Sequence, residues 1–140
     1  IGCFWGDDDT RNLSEPFTKY PVTNQRTELY ACIRALEVFY ESIDNEKKYE
    51  LTIYSDSQYT VHCMNRWVHN WKVKSWKKAN GKPVLNVDLI KKLDELRYHP
   101  GIHVKFIHVK AHQKEPTNKN TLIYQHWYGN MMADKLARGI

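Results

Sequence analysis

An α/β fold is predicted by two strand-like segments, each of which follows an amphipathic helical pattern. Residues 49–55 alternate β-forming side chains and lead into Asp56, and Ser57 then supplies a helix cap. Residues 102–109 begin with the same alternation, after a helical pattern at 86–96. Active sites of open α/β sheets gather where strands end, so Asp56 is a candidate site residue. A single aspartate is also typical of a turn or a cap.

The composition is that of one compact domain. The chain has 140 residues, of which 41% are hydrophobic and 26% charged, enough for an ordinary core. Its apolar runs are too short to cross a membrane and no secretory signal opens it, so we expect a soluble, intracellular monomer of the cytoplasm or nucleus. The three cysteines lack CxxC spacing and are expected to be small buried hydrophobes. The net charge of +5 favours a polyanionic partner, and a solvated lysine face is the alternative.

The first segment reads as a hairpin. Residues 1–6 are strand-like from the first position, which indicates a piece of a longer protein. The acidic triplet Asp7, Asp8 and Asp9 is expected to be a solvated turn and not a metal site, because consecutive carboxylates point apart. A second strand is predicted at 15–22, at a sheet edge because it contains two prolines.

Residues 24–43 carry a regular helical pattern, with Asn24 as the predicted cap. Glu28 falls in the first turn, on the same face as the small residues Ala31, Cys32 and Ala35. A face of small side chains can lie close to a sheet, which would direct the glutamate toward that sheet. The alternative is a glutamate that only complements the helix dipole. The apolar positions of the pattern are Leu29, Cys32, Ile33, Leu36, Tyr40 and Ile43.

A basic, aromatic segment follows Asp56. Residues 57–87 contain no Asp or Glu, and they predict a projection at about 66–85 that follows phosphates and stacks sugars or bases on indole rings. The alternative is a helix that packs its tryptophans on the core and solvates its lysines, although such helices usually intersperse acids. The residues concerned are Arg66, Trp67, Trp71, Lys72, Lys74, Trp76, Lys77, Lys78 and Lys82.

The last third of the chain carries one histidine-bearing loop and one helix. Residues 107–112 end the second strand in a loop, and the polar, turn-prone residues 113–125 predict a mobile connection. A closing helix is predicted with Asp134 at the margin of its apolar stripe. The stripe consists of Gly129, Met132, Ala133, Leu136, Ala137 and Ile140.

Five separated blocks of the chain resemble ribonuclease H of the type 1 branch, in order and nearly in spacing. They are Thr23-Asn-Gln-Arg-Thr-Glu28, Tyr54-Ser-Asp-Ser-Gln58, Trp67-Val-His-Asn-Trp71 with the lysines up to Pro83-Val-Leu-Asn86, His108-Val-Lys-Ala-His112, and Gly129-Asn-Met-Met-Ala-Asp134. The resemblance covers residues 1–140 as one domain. It implies a mixed five-stranded sheet flanked by helices.

The resemblance also implies a reaction and a set of metal ligands. Members of the family cleave the RNA strand of RNA·DNA hybrids and leave 5′-phosphates, with carboxylates that hold two Mg²⁺ ions; Mn²⁺ is the alternative ion. The matching ligands are Glu28, Asp56 and Asp134, and such hard oxygen donors suit magnesium. His112 matches a loop histidine that assists proton transfer or product release.

The substrate contacts implied by the resemblance lie in three places. Asn24 and Gln25 match residues that read the minor groove, where the 2′-hydroxyl distinguishes RNA from DNA. Thr23 and Asn86 match a pocket for a DNA-strand phosphate. The basic protrusion is represented by Trp67, Trp71, Trp76, Lys72, Lys74, Lys77 and Lys78.

The chain departs from the family pattern at its start. The family's first strand carries an Asp-Gly-Ser motif whose aspartate bridges both metal ions, and it would precede Ile1. That strand lies centrally, between the strands at 1–6 and 51–55, so its absence predicts two unpaired edges and a hole in the core. We expect the native protein to carry it upstream. A chain that lacks this aspartate could instead be a module that binds hybrid or double-stranded RNA without cleaving it.

Two further departures concern the site. The interval from His112 to Asp134, 134 − 112 = 22 residues, is longer than the family pattern and predicts an extended histidine loop at about 112–127. Pro21 stands where some relatives keep a phosphate-binding arginine, and Met131 replaces an acid before the last aspartate. These two substitutions predict a weaker phosphate pocket.

Overall fold

Strands and helices alternate along the chain as predicted, in a computed structural model that describes residues 1–139. The fold is α/β, and its sheet is flanked by helices. The elements are β1 (Gly2–Cys3), β2 (Leu13–Ser14), α1 (Asn24–Ser42), β3 (Tyr49–Ser55), α2 (Gln58–His62), a π-helical turn (Cys63–Trp67), α3 (Val68–Val73), α4 (Val87–Arg97), β4 (Ile102–His108) and α5 (Leu122–Ala137). Within residues 1–139, none of the helices combines the length and apolar character needed to cross a bilayer.

The strands pair in two separate sheets. β1 is antiparallel to β2, and β3 is parallel to β4 over its whole length, from the pair Tyr49 and Ile102 to the pair Ser55 and His108. Between the sheets lies a cavity of about 360 Å³, which is lined by both β1 and β3. Among the described residues the two sheets share no strand pairing, and this cavity separates them.

The core lies between the β3–β4 sheet and the helices α1 and α4. The predicted stripe of α1 is confirmed, because Leu29, Cys32, Ile33 and Leu36 are buried in one cluster with apolar residues of α4 and both strands. All three cysteines are free and buried, as predicted. Burial raises the pKa of the Cys63 thiol to about 11, so this group stays protonated at neutral pH.

The first hairpin is shorter than predicted. The second strand occupies Leu13–Ser14 and not 15–22, because the side chain of Asn12 closes the turn early. Its Oδ1 accepts a hydrogen bond from the Trp5 amide at 2.7 Å and its Nδ2 donates to the Gly6 carbonyl at 2.7 Å. The acidic triplet lies in this turn, as predicted, and Asp9 pairs with Arg11 at 2.8 Å.

The closing helix begins earlier than predicted. α5 starts at Leu122, because Thr121 caps it by accepting a hydrogen bond from the Tyr124 amide at 3.1 Å. The predicted histidine loop at about 112–127 and the polar connection at 113–125 therefore end at Thr121, and the residues beyond are helical. None of the described residues of α5 is fully buried, because its apolar stripe lies along the cavity. Ile140, the last member of that stripe, lies outside the described residues.

Candidate active site

The three predicted carboxylates line a single cavity. Glu28 comes from the first turns of α1, Asp56 directly follows β3, and Asp134 lies on α5. These residues are far apart in sequence, and the fold brings them to the space between the two sheets. Their role as metal ligands stays a prediction.

Electrostatic repulsion couples these carboxylates. Burial raises the pKa of Glu28 to about 7, and the charges of Asp56 and Asp134 contribute to that rise. A bound cation would offset the burial of the Glu28 charge and the repulsion among the three carboxylates. Three hard oxygen donors are chemically suited to Mg²⁺. Within residues 1–139, no three His, Cys, Asp or Glu side chains lie close enough to hold one ion together. Mg²⁺ usually takes one or two carboxylates and completes its shell with phosphate oxygens and water.

The turn that presents Asp56 is fixed on both sides. Ser55 is buried, and its Oγ accepts a hydrogen bond from the Ser57 amide at 3.1 Å. Ser57 in turn caps α2 by accepting from the Thr60 amide at 3.2 Å, as predicted from the sequence. Asp56 is therefore held at the end of β3 by a short connection that is hydrogen-bonded on each side.

Sequence reasoning missed one aromatic neighbour of the cavity. His126 lines the same cavity as the carboxylates, and its ring lies 4.5 Å from the ring of Tyr54 on β3. It lies in the stretch that the polar composition assigned to a loop. A helical reading of that stretch, with Thr121 as cap, was the signal that could have found it.

His112 lies apart from the carboxylates. It is exposed in the loop between β4 and α5, has a left-handed backbone with φ of 54°, and does not line the cavity. The neighbouring Gln113 ties the loop to α5, because its carbonyl accepts a hydrogen bond from Trp127 Nε1 at 2.9 Å. The assisting role of His112 stays a prediction.

The predicted phosphate-pocket residues meet where α1 and α4 begin. Thr23, not Asn24, caps α1 by accepting from the Arg26 amide at 3.1 Å. Asn24 and Gln25 are exposed in the first turn. Asn86 precedes α4, and its Nδ2 lies 3.5 Å from Gln25 Oε1. The structure therefore places Gln25 and Asn86 side by side, although they are 86 − 25 = 61 residues apart.

The tryptophans of the basic segment divide into two environments. Trp67 is 39% exposed, whereas Trp71 and Trp76 pack partly against the core. The rings of Trp67 and Trp71 lie 5.9 Å apart. The packing of Trp71 and Trp76 agrees with the alternative of core contact, and the exposure of Trp67 agrees with a nucleic-acid surface.

The lysines of the segment also differ from one another. Lys72 pairs with the buried Asp94 of α4 at 3.0 Å. Lys74, Lys77 and Lys78 are exposed and make no ion pair among the described residues. Three of the four predicted lysines are therefore available to meet phosphates, and the fourth anchors the segment.

A π-helical turn sets the direction of Trp67. The Val68 amide donates to the Cys63 carbonyl, five residues back, so the turn between α2 and α3 holds one residue more than an α-helical turn. Tyr59 and Trp67 are 67 − 59 = 8 residues apart, which would place them about 80° apart around a regular α-helix. The extra residue brings them to the same face, where their rings lie 6.1 Å apart.

Fold and site together define an α/β domain of the ribonuclease H-like class. A crystal structure entitled LC9-RNase H1, a type 1 RNase H with the type 2 active-site motif, superposes with a TM-score of 0.60 at 25% identity, over 84% of this chain and 49% of that one. The solution structure of the PFV RNase H domain superposes with a TM-score of 0.58 at 22% identity, over 91% of this chain and 67% of that one, which supports the fold alone.

Sequence comparison gives the family. The RNase H family model matches residues 1–140, and the chain belongs to that family. Ribonuclease H of Schizosaccharomyces pombe is 36% identical over 137 residues, covering 98% of this chain and 44% of the relative. Ribonuclease H of Salmonella arizonae is 42% identical over 110 residues, covering 78% of this chain and 64% of the relative. The chain thus spans about half to two thirds of the length of these relatives.

Proposed function

We propose that this chain is an endonuclease that hydrolyses the RNA strand of RNA·DNA hybrids and leaves 5′-phosphates. The observation that carries the proposal is the convergence of Glu28, Asp56 and Asp134 on one cavity, where burial and the other two charges raise the pKa of Glu28. Family membership and the name Ribonuclease H of the relatives support it.

The three carboxylates would hold two Mg²⁺ ions, with Mn²⁺ as the alternative. When bound, such ions supply an activated water and stabilise the leaving 3′ oxygen. Glu28, whose pKa is raised to about 7, would have to be deprotonated to hold such an ion. Asp56 is already fixed by the Ser55 and Ser57 hydrogen bonds, so it needs little reorganisation. His112, exposed on its loop, would assist proton transfer or product release.

The substrate would lie across the starts of α1 and α4 and along the basic segment. Asn24 and Gln25 are exposed and face the minor groove in this arrangement, with Thr23 and Asn86 toward a DNA-strand phosphate. Lys74, Lys77 and Lys78 neutralise further phosphates, and the exposed edge of Trp67 offers a stacking surface.

A second candidate function is a binding module that holds hybrid or double-stranded RNA without cleaving it. The exposed Trp67 and the exposed lysines of the basic segment favour it, because they could hold a duplex whether or not the carboxylates bind metal ions. The same basic segment would bind the duplex in both cases.

Cleavage of a labelled hybrid in Mg²⁺ tests the proposal. In a form extended upstream by a strand that carries Asp-Gly-Ser, we expect RNA fragments with 5′-phosphates, and we expect Asp56→Asn to abolish them. Asp8→Asn is the matched control, since Asp8 is exposed in the first hairpin and does not line the cavity. Unchanged cleavage by Asp56→Asn would refute the site.

Binding and cleavage measured together separate the two functions. We expect residues 1–140 alone to bind hybrid with little or no turnover, and a form extended upstream by a strand that carries Asp-Gly-Ser to cleave it. Equal cleavage rates for the two forms would contradict the assigned need for the additional aspartate. Binding without cleavage by both forms would favour the binding module.

A further inference from the structure

A buried arginine joins the start of α1 to the start of α4. Arg26 is 4% exposed, and its guanidinium donates to both carboxylate oxygens of Asp88, at 2.8 and 2.7 Å. The same group lies 3.5 Å from Asn86 Oδ1. A bidentate arginine–carboxylate pair fixes both the position and the orientation of the guanidinium, which a lysine cannot reproduce.

The side chain of Asn86 is held from three directions. Its backbone is left-handed, with φ of 59° and ψ of 26°, a conformation that asparagine tolerates well. Arg26 approaches its Oδ1, while its Nδ2 donates to the Tyr59 hydroxyl at 3.1 Å and approaches Gln25 Oε1 at 3.5 Å. The carboxamide therefore has a defined orientation before any ligand is bound.

Tyr59 carries this network to the basic segment. Its hydroxyl contacts Asn86, and its ring lies 6.1 Å from that of Trp67. Trp67 in turn lies next to Trp71. One chain of contacts thus connects the proposed substrate residues of α1 and α4 with those that follow the π-helical turn.

We propose that Arg26, Asp88 and Tyr59 are positioning residues, which orient Asn86 and Gln25 for the nucleic-acid duplex. This inference rests on the proposed function. None of the three needs to touch the substrate, because each acts through the carboxamides of Asn86 and Gln25.

A purely structural role explains the network less well. α1 and α4 already pack through buried Leu29, Ile33, Ile90 and Leu93, so the helices do not need an ion pair to stay together. Burying a guanidinium costs free energy, and Arg26 Nε has no hydrogen-bond partner among the described residues. Replacing both members of a buried ion pair by apolar residues is often neutral or stabilising. What the arginine adds is a fixed geometry for Asn86.

Two conservative variants test the inference by hybrid affinity. Arg26→Lys keeps the charge but cannot donate to both oxygens of Asp88, and Tyr59→Phe removes only the hydroxyl while its ring stays beside Trp67. We expect each to raise the dissociation constant of a fluorescent hybrid in EDTA about fivefold, and, in the upstream-extended form, to raise the KM of cleavage about fivefold with kcat unchanged. Arg34→Lys is the matched control, because Arg34 also lies on α1 and pairs with Glu15 and Glu37. We expect it to leave affinity unchanged.

A double variant shows whether Tyr59 acts through Asn86. Asn86→Ala is expected to weaken hybrid binding, and Tyr59→Phe added to it is expected to weaken it no further. If the double variant raises the dissociation constant by the product of the two single effects, the inference is overturned. A Tyr59→Phe variant with unchanged dissociation constant and KM would also overturn it. If Arg26→Lys fails to fold, Tyr59→Phe decides.

Failure of the inference is distinguishable from failure of the proposed function. Tight binding without cleavage by the upstream-extended form, together with weakened binding by Tyr59→Phe, would refute the nuclease and support the positioning role. Normal cleavage with a normal KM in Tyr59→Phe would support the nuclease and refute the positioning role. A chain that does not bind hybrid at all would overturn both.

Discussion

At Glu28 the proposed site lowers the stability of the metal-free folded chain. Its ordinary pKa of 4.5 is raised to about 7 in the folded chain by burial and by the charges of Asp56 and Asp134. Between these two values the folded state holds more proton than the unfolded state. Stability is therefore highest below the unfolded value and is lost as the pH rises through about 7.

Glu28→Gln is expected to stabilise the metal-free chain at pH 8 while it abolishes cleavage. The shift of the Glu28 pKa corresponds to about 3 kcal/mol that the variant regains, since glutamine is never charged. Thermal unfolding in EDTA at pH 5 and pH 8 measures this. We expect a higher melting temperature than the unmodified chain at pH 8 and a much smaller difference at pH 5.

Glu41→Gln supplies the control for that measurement, because Glu41 is exposed near the end of the same helix. It should leave the pH dependence of melting unchanged. If the Glu28→Gln variant melts below the unmodified chain at pH 8, the burial and charge repulsion of Glu28 do not lower the stability of the folded chain.

Single residues were predictable from sequence where the local pattern determines them. Ser57 as a cap and the buried stripe of α1 follow from neighbours within a few positions. The Arg26–Asp88 pair joins residues that are 88 − 26 = 62 positions apart, and no local pattern indicates it. The convergence of the three carboxylates was expected through family resemblance, and spacing alone gave no distance between them.

At the scale of elements, the contact between β1 and α5 depends on a glycine. A Cβ atom on Gly2 would collide with main-chain atoms of Ala133 and Ala137 on α5. Main-chain atoms cannot rotate away as the end of a side chain can, so the helix itself would have to move. The register of β1 against α5 therefore requires glycine at this position.

Gly2→Ala is expected to destabilise the fold by about 1–3 kcal/mol through this overpacking. Gly129→Ala is the matched substitution with the opposite sign. Gly129 lies within α5 and a Cβ there meets no atom within 4 Å, so the better helix former should add about 1 kcal/mol. Urea denaturation of both variants checks the pair. Equal effects of the two substitutions would show that β1 does not press on α5.

Element boundaries were less predictable than element types. The second strand and the start of α5 were both misplaced, because the Asn12 side chain and the Thr121 cap decide them. Each is a single hydrogen-bonding residue whose effect depends on what the chain does next. The strands at Tyr49–Ser55 and Ile102–His108 were located well, since their alternation extends over seven residues.

The whole molecule carries a group of exposed lysines after α3. Lys74, Lys77 and Lys78 form this group, whereas Asp56 follows the carboxyl end of β3. Lys47 and Lys48 precede the amino end of that strand, about 20 Å away for a strand of seven residues. A duplex bound along the basic segment, as proposed, would meet the exposed lysines that follow α3.

Replacing Lys74, Lys77 and Lys78 by glutamine is expected to reduce the salt dependence of hybrid binding. Each lysine–phosphate pair that the substitution removes lowers the slope of log affinity against log salt by nearly one, so the slope should fall by about two to three. Anisotropy titrations over a range of KCl concentrations measure it. Lys47→Gln with Lys48→Gln should leave the slope unchanged, and an equal fall in this control would place the duplex elsewhere.

The π-helical turn at Cys63–Trp67 has a consequence for how the chain tolerates changes of length. Because the turn already holds one residue in excess, deleting the exposed Arg66 would leave an ordinary α-helix with Tyr59 and Trp67 still on one side. Inserting a residue there would swing Trp67 and everything after it by about 100°. We expect the shortened chain to fold and bind hybrid, and the lengthened chain to bind it more weakly. Shortening and lengthening the same helix by one step should therefore have unequal outcomes.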